Sequence, residues 1–177
     1  MRTLSRNRRH PIVLILAVAG VLALVVFGPA PAAAVGPSGS TGVWEWPVAP
    51  PRQLLRPFVA PPTPYAAGHR GIDVAASPGS TVFAAADGVV SFAGVVVDRP
   101  VLSIRHAGGF VSSIEPVAAG VAAGDAVGAG QAVGVVASGG HCDARCVHFG
   151  VRLHGEYVNP LGLLATIERA VLLPLGR

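Results

Sequence analysis

The 177-residue chain contains no lysine, only two cysteines, one methionine and two tryptophans, and its charged residues make up 12% of the total. The absence of lysine beside abundant Ala, Val and Gly reads as codon bias more than function. Two cysteines allow a single internal disulfide, not a disulfide framework, and at this length one domain can build a core without a metal or disulfide as an obligatory staple. Clustered positive charge is also missing. The formal net charge is +4, but Arg2, Arg6, Arg8 and Arg9 all lie in the first ten residues, and from Val35 onward nine Arg face nine acids. The remaining Arg are scattered singly, which argues against a nucleic-acid partner. No internal repeat is evident.

What is present begins with an export signal. An Arg-rich start leads into the apolar run Pro11 to Phe27 and then into Ala30-Pro31-Ala32-Ala33-Ala34, small residues that suit cleavage after Ala32 or Ala34. The competing reading is an uncleaved anchor, the run of about 17 residues being at the short end of the roughly 17–25 a spanning helix needs. Both readings place the domain outside the cytoplasm, secreted or membrane-anchored at the cell envelope, with membrane contact only through the N-terminal segment. The expected organisation is a signal or anchor over 1–34, a Gly/Pro/Ser/Thr linker over 35–43, a domain over 44–170 and a tail over 171–177.

Trp44 to Val48 alternates like a first strand, and the six prolines between Ala49 and Pro64 suit an extended surface segment. Short Val/Ala/Phe/Ile runs follow, cut by turn residues. Asp87-Gly88 is a two-residue hairpin signal between Thr81–Ala85 and Val89–Phe92. Asp98-Arg99-Pro100 separates Gly94–Val97 from Val101–His106, Ala107-Gly108-Gly109 precedes Phe110–Glu115, and Gln131–Val136 is the last run before Gly139-Gly140. This spacing predicts an all-β sandwich or barrel-like body. Only the end departs: Asn159 as N-cap and Pro160 at the first helical position predict a short helix to about Ala170.

The densest chemistry is His141 to Arg152, HCDARCVHFGVR, with two Cys and two His within eight residues. From Cys146 onward it alternates as a strand, so Cys146 and His148 should share a face. Upstream, His69 and Asp73 are flanked and separated by Gly68 and Gly71. On an extended strand their Cα atoms would stand about 13 Å apart, so the segment must curve at Gly71 for both to hold one ion. Taken alone, the pair is a weak signal, and a turn His with a capping Asp is the simpler reading. With His148, three ligands and an open position become available, the arrangement of a catalytic zinc site.

Gly68-His69-Arg70-Gly71-Ile72-Asp73, then Val82-Phe83-Ala84-Ala85-Ala86-Asp87-Gly88-Val89-Val90, then Gly124-Asp125 to Val133-Gly134, then Val147-His148-Phe149-Gly150-Val151-Arg152, in that order, resemble the lysostaphin or LytM-type zinc metallopeptidases that cut peptide cross-links in bacterial cell walls. The resemblance spans roughly Trp44 to Leu164. It implies a compact antiparallel β domain of the LytM type (a duplicated hybrid motif), zinc held by His69, Asp73 and His148, and peptidoglycan peptide as substrate. A non-catalytic domain of the same fold, binding wall peptide or activating a partner cell-wall hydrolase, is the alternative it leaves open.

The chain departs from the family at both catalytic histidines. Cys146 stands at the first His of His-x-His, and Glu115 aligns with the other through Ser113-Ile114-Glu115. A carboxylate can take a proton beside zinc, as the Glu of His-Glu-x-x-His peptidases does, which makes Glu115 the candidate base; a plain surface Glu before Pro116 is the alternative. Cys146 can be oxidised to Cys142, closing a small loop, can serve as a thiolate ligand that closes the zinc site, or can be a free nucleophile. An exported chain with two cysteines favours the disulfide Cys142–Cys146. His141 either swings toward the site in place of a missing histidine or is a flexible loop residue. His106 and His154, beside turns, are expected to face solvent, and Trp44 and Trp46 to be core and edge residues.

Overall fold

The computed structural model describes residues 43–63 and 65–164. The expected export signal, most of the linker, the tail and the helix beyond Leu164 lie outside the described residues. Among the described residues eleven short strands carry the fold: β1 (Leu54–Arg56), β2 (Ile72–Ala75), β3 (Thr81–Phe83), β4 (Gly88–Val96), β5 (Arg99–His106), β6 (Phe110–Glu115), β7 (Val117–Ala119), β8 (Ala126–Val127), β9 (Ala132–Val136), β10 (Cys146–Leu153) and β11 (Glu156–Val158). The larger sheet runs β1-β2-β10-β6-β5-β4-β8, with β11 also paired to β10, and the smaller runs β3-β9-β7; every pairing is antiparallel. The expected all-β architecture is therefore the one observed.

The register of the large sheet divides apolar chemistry from polar chemistry one residue at a time. Ile72, Phe149, Ile114 and Leu102 stand side by side across β2, β10, β6 and β5, and all four are fully buried. At about 1.5–3 kcal/mol for each buried side chain of this size, the row contributes roughly 6–12 kcal/mol. It shares one core with Val82, Val117, Val133 and Val136 of the small sheet. The next row, one residue on, faces the other way and reads Asp73, His148, Glu115. A one-residue slip of β10 would drive His148 into the core and Phe149 into water, so burial of the apolar row holds the polar row in register.

Several local expectations change. Trp44–Val48 forms no strand; Trp44 and Val48 make only isolated bridges, to Leu164 and Val82. Trp44 is nevertheless a core residue. Asp87-Gly88 does not close a hairpin, because β3 pairs with β9 in the small sheet while β4 pairs with β5 and β8 in the large one. The Asp87 turn instead passes the chain between sheets, its carboxylate accepting from Ala129 N at 2.8 Å. The runs Val89–Phe92 and Gly94–Val97 merge into one strand with an irregularity between Val90 and Phe92. Asn159 caps as expected, accepting from Leu161 N at 3.1 Å, but what it opens within the described residues is a 3-10 turn, Pro160–Gly162.

Candidate metal centre

His69 sits one turn of chain before β2. The Pro-rich segment, extended as expected, reaches it: Val59 and His69 exchange two backbone hydrogen bonds, at 2.9 and 3.0 Å. The chain then bends at Arg70-Gly71 and enters β2, the curvature that brings His69 and Asp73 together. His69 Nδ1 donates to the Pro57 carbonyl at 2.7 Å; a carbonyl only accepts, so the proton is on Nδ1 and the Nε2 face is turned into the site.

There His69 Nε2 lies 3.0 Å from Asp73 Oδ1 and 3.1 Å from His148 Nδ1, and His148 Nδ1 lies 2.8 Å from Asp73 Oδ1. All three predicted ligands are thus brought together. A fourth group joins them: His141 Nε2 is 2.9 Å from Asp73 Oδ1. It arrives from the loop between β9 and β10, after Gly139 and Gly140, both at positive φ. Its side chain is 43% exposed, against 4%, 5% and 13% for His69, Asp73 and His148. Of the two readings of His141, the structure bears out the one in which it swings to the site. The available signal was its place directly before the Cys142–Cys146 ring.

Burial pushes the Asp73 carboxyl up, but hydrogen bonds and charge from His148 and His141 more than reverse this, holding it well below the usual carboxylate range. Asp73 is therefore an anion with one oxygen aimed at by three imidazole nitrogens. Three nitrogens and one carboxylate oxygen are the donor types zinc prefers. A tetrahedron of zinc bonds of about 2.0–2.1 Å has edges of roughly 3.3 Å, so the 2.8–3.1 Å separations need only a few tenths of an ångström of expansion. The side chains fit a divalent cation better than a proton-sharing cluster, in which His69 Nε2 and His148 Nδ1 face each other across 3.1 Å.

Gly71 makes this approach possible. A Cβ there would stand 2.7 Å from His148 Nε2 and press on the Phe149 carbonyl, so the residue is glycine for space, not for positive φ.

Cys142 and Cys146 are joined by a disulfide, which closes the loop carrying His141 and removes Cys146 as a ligand or nucleophile in this state. Glu115 stands opposite His148 on β6 and therefore on its face, but it is outside the converging group. Its carboxylate lies 2.9 Å from Arg99 Nε, an ion pair whose geometry falls short of a hydrogen bond. The Gly139-Gly140 backbone packs on the same Arg99 side chain. His106 does not face solvent as expected. Its Nδ1 donates to the Asp87 carbonyl at 2.8 Å, its Nε2 is 2.7 Å from Ser112 Oγ, and its ring packs on Trp44. His154 is exposed, as expected.

Residues 67–160 match the model of Peptidase family M23. The chain belongs to that family, which agrees with the resemblance carried by its motifs. The chain is 42% identical over 125 residues to the uncharacterized protein Rv2891 of Mycobacterium tuberculosis H37Rv, an alignment covering 67% of this chain and 50% of that protein. It is 35% identical over 96 residues to the DD-carboxypeptidase/endopeptidase Mpg of Neisseria meningitidis, covering 54% of this chain and 22% of that one. It thus spans half of the first relative's length and about a fifth of the second's. The fold matches the catalytic domain of the antimicrobial peptidase lysostaphin from Staphylococcus simulans with a TM-score of 0.54 at 21% identity, over 63% of this chain and 90% of that one.

Proposed function

We propose that the protein is an extracytoplasmic zinc metalloendopeptidase that hydrolyses peptide bonds of bacterial cell-wall peptidoglycan. The observation that carries this reading is the convergence of His69, Asp73 and His148 on one point from two distant chain segments, beneath an exposed His141. Bound zinc supplies Lewis acidity toward an amide carbonyl and acidifies water. The chain's own groups do the rest. Pro57 orients His69, Asp73 supplies the negative charge, and Glu115, on the same face and kept in place by Arg99, is the group proposed to take the proton. An open cleft of about 700 Å³ lies between Pro50-Pro51, Ala75 and Arg145. Ala75 lies two residues along β2 from Asp73 and on the same face, and none of the converging side chains lines the cleft. The disulfide supports an oxidising compartment outside the cytoplasm.

A second reading, a non-catalytic domain that binds wall peptide or activates a partner hydrolase, is favoured by one observation: His141 adds a fourth donor to the converging group, which would fill the open position, while Glu115 is held by Arg99. The test is zinc content and release of new amino groups from purified peptidoglycan, for wild type, His148→Ala and Glu115→Gln. Zinc-replete wild type that releases none sinks the enzyme reading. Activity undiminished in Glu115→Gln removes Glu115 from the mechanism.

A further inference from the structure

The histidine-rich set is not the only group of donors around Asp73. Asp73, His141, Cys142 and Cys146 also place one donor atom each within 4.8 Å of one another. Cys146 pairs in register with Ala75, two residues along β2 from Asp73, so its side chain emerges on the same face as Asp73 and His148. Cys142 Sγ is 3.9 Å from His141 Nε2. Both sulfurs are buried, whereas His141 is exposed. Between the cysteines, Asp143 and Ala144 have φ of 35° and 62°, a left-handed conformation that costs most L residues energy.

We propose that reduction of Cys142–Cys146 creates a second cation site, made of the two thiolates, His141 and Asp73, for a thiophilic divalent ion such as zinc. The step balances simply. A dithiol donor attacks the disulfide, leaving two cysteine thiols and the donor's own disulfide, and the two thiols release two protons as the cation binds. Two sulfurs, one nitrogen and one oxygen make a closed four-ligand set of the structural kind. Asp73 belongs to both sets and His141 stands beside both, so the two sites compete for the same donors. Reduction therefore draws the ion away from His69 and His148 and takes its open position with it. This rests on the reading of His69, Asp73 and His148 as the ligand set of the oxidised protein, and extends it by making the metal's coordination depend on the state of the disulfide.

The experiment is a cobalt(II) titration of the full chain, oxidised and after treatment with a dithiol that is then removed under anaerobic conditions. Visible d–d bands report any bound cobalt, and a near-ultraviolet sulfur-to-cobalt band reports thiolate ligation. The oxidised protein is expected to bind one cobalt without the sulfur band. The reduced protein should bind one with it, at least tenfold more tightly. Reduced His148→Ala should keep the sulfur band and oxidised His148→Ala should lose cobalt, while Cys146→Ser should weaken or remove the band; a circular dichroism spectrum checks that each variant is folded. Reduced wild type that binds cobalt with no sulfur band overturns the second site and leaves the peptidase reading intact. Cobalt bound only after reduction supports the second site and instead overturns the histidine set as the resting ligand set.

Discussion

Replacing Gly71 by Ala tests the link between backbone packing and the metal centre. The added methyl would meet His148 Nε2 at 2.7 Å, and ordinary contact begins at 3.4 Å, so the imidazole must retreat by about 0.7 Å. Rotation of the ring alone does not suffice, because the Phe149 carbonyl of β10 is closer still and its position is set by the ladder to β2 and β6. β10 and the Arg70-Gly71 bend must therefore separate. Overpacking of this kind costs about 1–3 kcal/mol, which for a domain of this size is a fall in Tm of roughly 3–12 °C. A ligand displaced by 0.7 Å lies well beyond the tolerance of about 0.2 Å expected at a metal site. Zinc affinity should fall at least tenfold, equivalent to about 1.4 kcal/mol. Thermal melts with chelator present isolate the packing cost, and competition against a chromophoric chelator reads the affinity. A Gly71→Ala protein that melts with wild type and holds zinc as tightly refutes the claim that this glycine is required for space against His148.

Zinc at a thousandfold excess over its Kd should raise stability by about 4 kcal/mol, and His69→Ala or Asp73→Ala should abolish that shift in calorimetry. His106 is displaced below its ordinary value by burial, only partly countered by the Asp87 and Ala86 backbone. A folded-state pKa below the unfolded one means that stability is complete above about 6.5 and lost as pH falls; urea melts from pH 8 to 5 should show that acid limb, flattened in zinc-loaded His106→Gln. Cys142→Ser in metal-free protein should cost about 2 kcal/mol, the loop entropy of so small a ring, and denaturant midpoints that do not move would contradict this. Phe149→Ala, in the centre of the buried row, should cost about 3–5 kcal/mol; a loss under 1 kcal/mol would show that the row is not the clamp described.

Much of the site was legible because it is written in local pattern. The period-two alternation from Cys146 to Arg152 made His148 a strand residue on one face, and Gly71 between His69 and Asp73 signalled the bend that an ion-binding pair needs. Two cysteines four apart had no other partner, and they are the disulfide observed. What local pattern misjudged depends on which strands meet. Asp87-Gly88 has the composition of a hairpin turn, yet the strands on either side belong to different sheets, and no local signal distinguishes a reversal from a crossing. His106 sits beside a turn but lies under Trp44, which is remote in sequence, and against Ser112 on the next strand.

By itself, then, the sequence determined the β-rich body and the cysteine pair, since periodicity and residue chemistry act over a few residues, and its family motifs singled out His69, Asp73 and His148 as the residues that converge. Tertiary structure alone decided that Pro57 orients His69, that Arg99 holds Glu115, and that His141 reaches Asp73. Each of these joins segments distant along the chain. The apolar row Ile72, Phe149, Ile114 and Leu102 sets the register that aligns Asp73 with His148 and Glu115, and a register is a property of paired strands that no single segment contains.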